Sequence, residues 1–129
     1  MTDLKSLILD YGQRARQAAR TLARLGTEQK NAALDAMADR MLARTEDILT
    51  ANGADIEKAA AEGVGGAMLE RLTLDPKRVQ AMAAGIRQVA ALEDPVGKVI
   101  TGWTRPNGLR ISKVRVPIGV IGIIYESRP

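Results

Sequence analysis

The chain has no cysteine, no histidine and no phenylalanine among its 129 residues. Without cysteine there is no disulfide, no thiolate metal site and no thiol nucleophile within these residues. Without histidine the commonest general base and metal ligand is missing as well. Aromatic residues amount to two Tyr and one Trp, so there is no stacking platform for nucleic acid bases. No apolar run approaches the roughly 20 residues that a bilayer crossing needs, and MTDLKSLILDYGQ lacks the basic-then-apolar order of a signal peptide. The expectation is a cytoplasmic protein with no membrane and no nucleic acid partner.

The apolar residues, 46% of the chain, are Ala, Leu, Ile, Val and Met, which suits helices and a buried sheet. The net charge of +4 is uneven. Residues 1–44 carry 8 basic and 5 acidic groups, residues 45–95 carry 5 and 9, and residues 96–129 carry 6 and 1. The basic excess near the C-terminal end reads either as an anion-binding region or as a solvated hairpin whose compensating acids lie elsewhere.

Leu4, Leu7, Ile8, Tyr11, Ala15, Ala18, Ala19 and Leu22 recur at helical spacing, with Arg14, Arg16, Arg20 and Arg24 largely outside the stripe. This predicts an amphipathic helix ending near Gly26. Thr27 is placed to cap a second helix with Ala33, Leu34, Met37, Met41 and Leu42 inward, and Thr45 a third through Ile48, Leu49, Ile56, Ala59 and Ala60. Gly63, Gly65 and Gly66 invite a phosphate-loop reading. No apolar strand precedes them and no Gly-Lys-Ser/Thr follows, so they read as a bend. A short helix over 67–72 leads to Asp75-Pro76, a cap followed by proline at the first helical position. Val79, Met82, Ala83, Ile86, Val89 and Ala90 face inward from there, and Asp94-Pro95 closes the helix.

The pattern then changes. VITGWTRPNGLRISKVRV splits around Pro106-Asn107-Gly108, a strong hairpin signal between β-prone runs. A two-stranded ribbon is marginal alone, so this one needs a surface, and Trp103 reads either as an interface anchor or as packing on its own domain. From Val116 to Tyr125 the chain is apolar without alternation, broken only by Pro117, Gly119 and Gly122. That is the pattern of a strand buried on both faces, as in a parallel sheet covered by helices. A finished module should not end this way, since an unpaired strand of this kind is an aggregation hazard. The expectation is therefore a chain that stops where a nucleotide-binding domain begins, with a helical interaction module carrying a β-ribbon dimerisation arm as the alternative.

RLTLDPKRVQAMAAGIRQVAALEDPVGKV (Arg71 to Val99) and RPNGLRISKVRVPIGVIGIIYESRP (Arg105 to Pro129) together resemble the N-terminal part of the gamma-glutamyl phosphate reductase family. That family lies within the aldehyde dehydrogenase superfamily. The resemblance implies an α/β, aldehyde-dehydrogenase-like fold. Residues 1–98 would be the N-terminal helical part of the cofactor-binding domain, 99–115 a β-hairpin oligomerisation arm, and 116–129 the first strand and turn of a Rossmann-like NADP-binding sheet. It implies NADPH-dependent reduction of gamma-glutamyl phosphate to glutamate 5-semialdehyde in proline biosynthesis, by way of a cysteine thioester. A thiolate suits that step because it attacks well near neutral pH. With no cysteine, these 129 residues alone are expected to be inactive. The resemblance places Ile124, Tyr125, Glu126, Ser127 and Arg128 beside the nicotinamide and ribose of NADPH. Arg128 carries two readings, contact with substrate phosphate or carboxylate and a salt bridge that orders the turn. Implied partners are a second copy of the chain in a dimer and an association with glutamate 5-kinase. No metal is expected.

Overall fold

The computed structural model describes residues 3–124, in the order α1 (Leu4–Leu22), α2 (Thr27–Ala43), α3 (Thr45–Ala61), α4 (Gly66–Leu72), α5 (Pro76–Ala90), β1 (Val99–Thr104) and β2 (Arg110–Val114). The described residues divide into two compact units, residues 3–27 with 93–123 and residues 28–92 with 124.

In the first unit, the Asp3 carboxylate caps α1 by accepting from the Lys5 amide at 3.3 Å. The apolar stripe of α1 forms as the spacing predicts but is left uncovered, with Leu4, Ile8, Tyr11 and Leu22 exposed and no residue of the helix buried. Thr27 donates its hydroxyl to Asp94 Oδ2 at 3.1 Å, and Asp94 Oδ1 accepts from the Val96 amide at 3.0 Å. Thr27 is the first residue of α2.

The ribbon is antiparallel and pairs Trp103 with Ile111, Thr101 with Lys113 and Thr104 with Arg110, with an irregularity between Val99 and Thr101. Its turn runs from Arg105 to Leu109: the Gly108 amide donates to Arg105 O at 2.9 Å and the Arg105 amide to Leu109 O at 2.8 Å. Proline at the second turn position and glycine at the fourth, where φ is +84°, fit a three-residue hairpin loop closed by a glycine bulge. Beyond the strands, Gly97 donates to Arg115 O and Arg115 to Lys98 O, each at 2.9 Å, which prolongs the ladder by a step. Ile111 is half-buried; every residue of β1 is exposed.

The second unit holds all the buried residues among those described: Ala38 on α2, Asn52 on α3, and Val79, Ala83 and Ala90 on α5. Spacings of four and seven put Val79, Ala83 and Ala90 on one side of α5, with Ile86 half-buried beside them. Met82 and Val89, expected inward, are exposed because the buried stripe is narrower than the apolar one. On α2 the buried position is Ala38, and Met37 stands exposed. The α5 cap is as expected: Asp75 accepts from the Arg78 amide at 2.6 Å and Pro76 opens the helix. Thr45 departs from expectation. Arg44 occupies the cap position, and the Thr45 hydroxyl turns back to donate to Leu42 O at 2.7 Å. Thr45 thereby satisfies the end of α2 rather than the start of α3.

The segment after Arg115 is not a ladder strand. Among the described residues the sheet contains β1 and β2 alone, and Val116, Ile118, Val120, Ile121, Ile123 and Ile124 are exposed. A parallel strand needs neighbouring strands and covering helices, and the described residues provide no such partners. The α/β expectation thus stands here as five helices and an antiparallel ribbon.

Candidate functional site

The sequence places the site at the carboxyl end of the apolar segment. Of the five residues named for it, Ile124 is described; its side chain is fully exposed. Tyr125, Glu126, Ser127 and Arg128 lie outside the described residues. Gly119 adopts a φ of +92°, a conformation that L side chains rarely take, so glycine there sets the path of the backbone. A Cβ built at Gly119 or Gly122 would meet no atom within 4 Å.

A largely apolar concavity lies between α2, α3 and α5 in the second unit. It is an open groove of 490 Å³ whose lining includes Met37, Arg40, Met41, Ile48 and Ile86, with Arg44 Nε 2.8 Å from Asp47 Oδ2 at its edge. It offers neither a nucleophile nor a general base of ordinary neutral-pH type. A second open groove, in the first unit, is lined by Ile8, Leu9, Gly12, Gln13, Arg16 and Val120. Among the described residues no group of three or more His, Cys, Asp or Glu is arranged to hold a metal ion. No described helix is long and apolar enough to cross a membrane. The glycines at 63, 65 and 66 form a helix boundary, with Gly65 at the cap of α4, in keeping with the bend read from the sequence.

Two side chains matter more than their sequence context announces. Asn52 is buried in mid-helix, donating to Leu72 O at 2.9 Å while accepting from the Leu74 amide at 2.7 Å. It satisfies the backbone where α4 gives way to α5. Its signal was its position, four residues from both Ile48 and Ile56 on the inward stripe of α3. Arg78 donates to Glu70 O at 2.6 Å and to Thr73 O, so its guanidinium occupies carbonyls freed at the end of α4. Both residues serve the backbone where α4 gives way to α5.

Solved structures superimpose on much of this chain. A crystal structure of gamma-glutamyl phosphate reductase from Thermotoga maritima superimposes with a TM-score of 0.82 at 41% identity, over 85% of this chain and 27% of that one. The Saccharomyces cerevisiae enzyme of the same name gives 0.72 at 32% identity, over 79% and 26%. No protein-family model matches the chain. Curated relatives named gamma-glutamyl phosphate reductase include those of Mesorhizobium japonicum, 55% identical over 98% of this chain and 30% of its own length, and of Moorella thermoacetica, 58% identical over 92% and 28%. The chain is homologous to the N-terminal portion of gamma-glutamyl phosphate reductases, as the motif near its end implied. It spans about 30% of the length of the curated relatives it matches.

Proposed function

We propose that these residues form the N-terminal portion of an NADPH-dependent gamma-glutamyl phosphate reductase, acting in proline biosynthesis in the cytoplasm. The reaction reduces gamma-glutamyl phosphate to glutamate 5-semialdehyde and releases phosphate. The observation that carries this reading is identity of 55% sustained over 98% of the chain to a relative of that name.

The reduction needs a nucleophile to displace phosphate from the acyl group and a donor of hydride to the resulting acyl-enzyme. A thiolate is suited to the first task, and this chain has no cysteine, so the nucleophile comes from residues other than these 129. NADPH, when bound, supplies the hydride. The residues present fit it at the level of chemistry: the exposed apolar run to Ile124 offers a surface for a ring, with no atom within 4 Å of the Cβ positions at Gly119 and Gly122. Glu126 and Ser127 carry groups for ribose hydroxyls, Tyr125 adds a further ring and hydroxyl, and Arg128 adds a cation toward phosphate or carboxylate. The segment 116–128 would enter a Rossmann-like sheet, and the exposed ribbon with Trp103 would lie on a second copy in a dimer. Association with glutamate 5-kinase would place the unstable acyl phosphate close to its consumer.

The test is NADPH oxidation with gamma-glutamyl phosphate by the product of the native gene, with the aldehyde trapped as product. Turnover that requires gamma-glutamyl phosphate is expected. The 129-residue chain by itself should give none, and turnover by that chain would remove the thiolate route. A native product that binds partner proteins through the ribbon and never oxidises NADPH would instead establish the interaction-module reading.

A further inference from the structure

The chain contains two Asn-Gly pairs, Asn52-Gly53 and Asn107-Gly108, in opposite surroundings. Asn-Gly is the dipeptide in which the next backbone nitrogen most readily reaches the asparagine side-chain carbonyl, because glycine has no Cβ to obstruct the approach. Attack of that nitrogen on Cγ closes a five-membered succinimide and expels the amide nitrogen as ammonia. Water then opens the ring at either carbonyl, giving aspartate or isoaspartate. Atoms balance with water as the only co-reactant, and no oxidation occurs.

Both asparagines meet the same chemistry, and the fold separates them. Asn52 is buried within α3, its side chain held at both ends by Leu72 O and the Leu74 amide. Reaching a cyclisation geometry there requires breaking both of those bonds and unwinding α3 around Gly53. Asn107 and Gly108 are exposed at the ribbon tip. The Asn107 side-chain oxygen accepts from the Leu109 amide at 3.2 Å, so the carbonyl is already folded over the following peptide and polarised by a donor. The Gly108 nitrogen is tied by one turn bond, to Arg105 O. Releasing it costs a local opening of the turn, and Gly108 already has the φ of +84° that few residues other than glycine tolerate.

We propose that Asn107 is a site of spontaneous deamidation and isoaspartate formation, and that Asn52 is protected from the same reaction by its two backbone hydrogen bonds. Isoaspartate inserts a methylene into the main chain at the third turn position. The modified tip loses the spacing that lets Gly108 donate to Arg105 O and Asn107 accept from Leu109. The new carboxylate lies in a stretch whose other charges, at Arg105 and Arg110, are basic. The modification therefore alters both the shape and the charge of the ribbon end.

The experiment incubates the full chain at mildly alkaline pH and maps tryptic peptides 45–58 and 99–110 for a one-mass-unit gain and for the isoaspartyl isomer. Peptide 99–110 should convert on the order of tenfold or more faster than 45–58, the ratio expected if two additional hydrogen bonds must open at Asn52. In concentrated urea the two rates should converge, and Asn107→Ser should abolish the gain in 99–110. Equal rates in the folded chain overturn the proposal. So does an unchanged 99–110 under conditions in which both peptides convert in urea.

Discussion

Asn52 shows what a single buried polar side chain contributes in this chain. Replacing it by Leu leaves Leu72 O and the Leu74 amide without their partner, and the loss of both bonds at a part-buried site should cost about 2–3 kcal/mol. Asn52→Asp retains an acceptor for Leu74 but turns an acceptor toward Leu72 O, so it should rescue little. Urea unfolding of both variants measures the effect, and a loss below that of a surface substitution would remove Asn52 from the scaffold. Val79 is fully buried on α5, and Val79→Ala should cost about 2 kcal/mol by loss of buried methyl groups and the cavity left behind. By contrast the ion pair between Arg87 and Asp39 has side chains 45% and 70% exposed. Asp39→Ala should change stability by less than about 1 kcal/mol in the same denaturation series. The Asp75 cap was legible from Asp-Pro alone, because cap chemistry is local. The role of Asn52 was not, since its partners lie 20 and 22 residues away.

At the scale of elements, the ribbon was legible because turn chemistry is written in adjacent residues: Pro106 presets one backbone angle and Gly108 accepts the positive φ. Gly108→Val should therefore destabilise the ribbon by about 1–2 kcal/mol. Faster hydrogen exchange at β1 and β2 amides, with the exchange of α5 unchanged, is the expected readout. The helices were legible from periodicity, including the short α4 and the end of α3 near Gly63, whereas α5, expected to close at Asp94-Pro95, ends at Ala90. Which face of each helix is covered was less so. Period alone put Met37, Met82 and Val89 inward, yet they are exposed, while Ala38 and Asn52 are buried. Burial depends on what an element packs against, and that is a property of partners distant in sequence. The same reason separates the buried strand expected over 116–125 from the exposed, unpaired segment described up to Ile124. A two-sided apolar run records the surroundings for which it was selected, and its strand form needs ladder neighbours to satisfy its backbone groups.

For the molecule as a whole, the candidate site was legible as a motif and not as a geometry. Val116 to Arg128 carries the family resemblance, and the relatives support it across nearly the whole chain. The chemistry proposed for it depends on groups that this chain does not contain, above all a cysteine. The central claim is that residues 1–129 are a competent N-terminal portion of a gamma-glutamyl phosphate reductase. It is tested most directly by exchanging the matching portion of the Mesorhizobium japonicum relative for this chain and measuring NADPH-dependent reduction of gamma-glutamyl phosphate. The account predicts a folded chimera with kcat/KM within about tenfold of the parent, a loss of no more than about 1.4 kcal/mol in transition-state stabilisation. A chimera that folds and assembles like the parent yet fails to reduce gamma-glutamyl phosphate would contradict it.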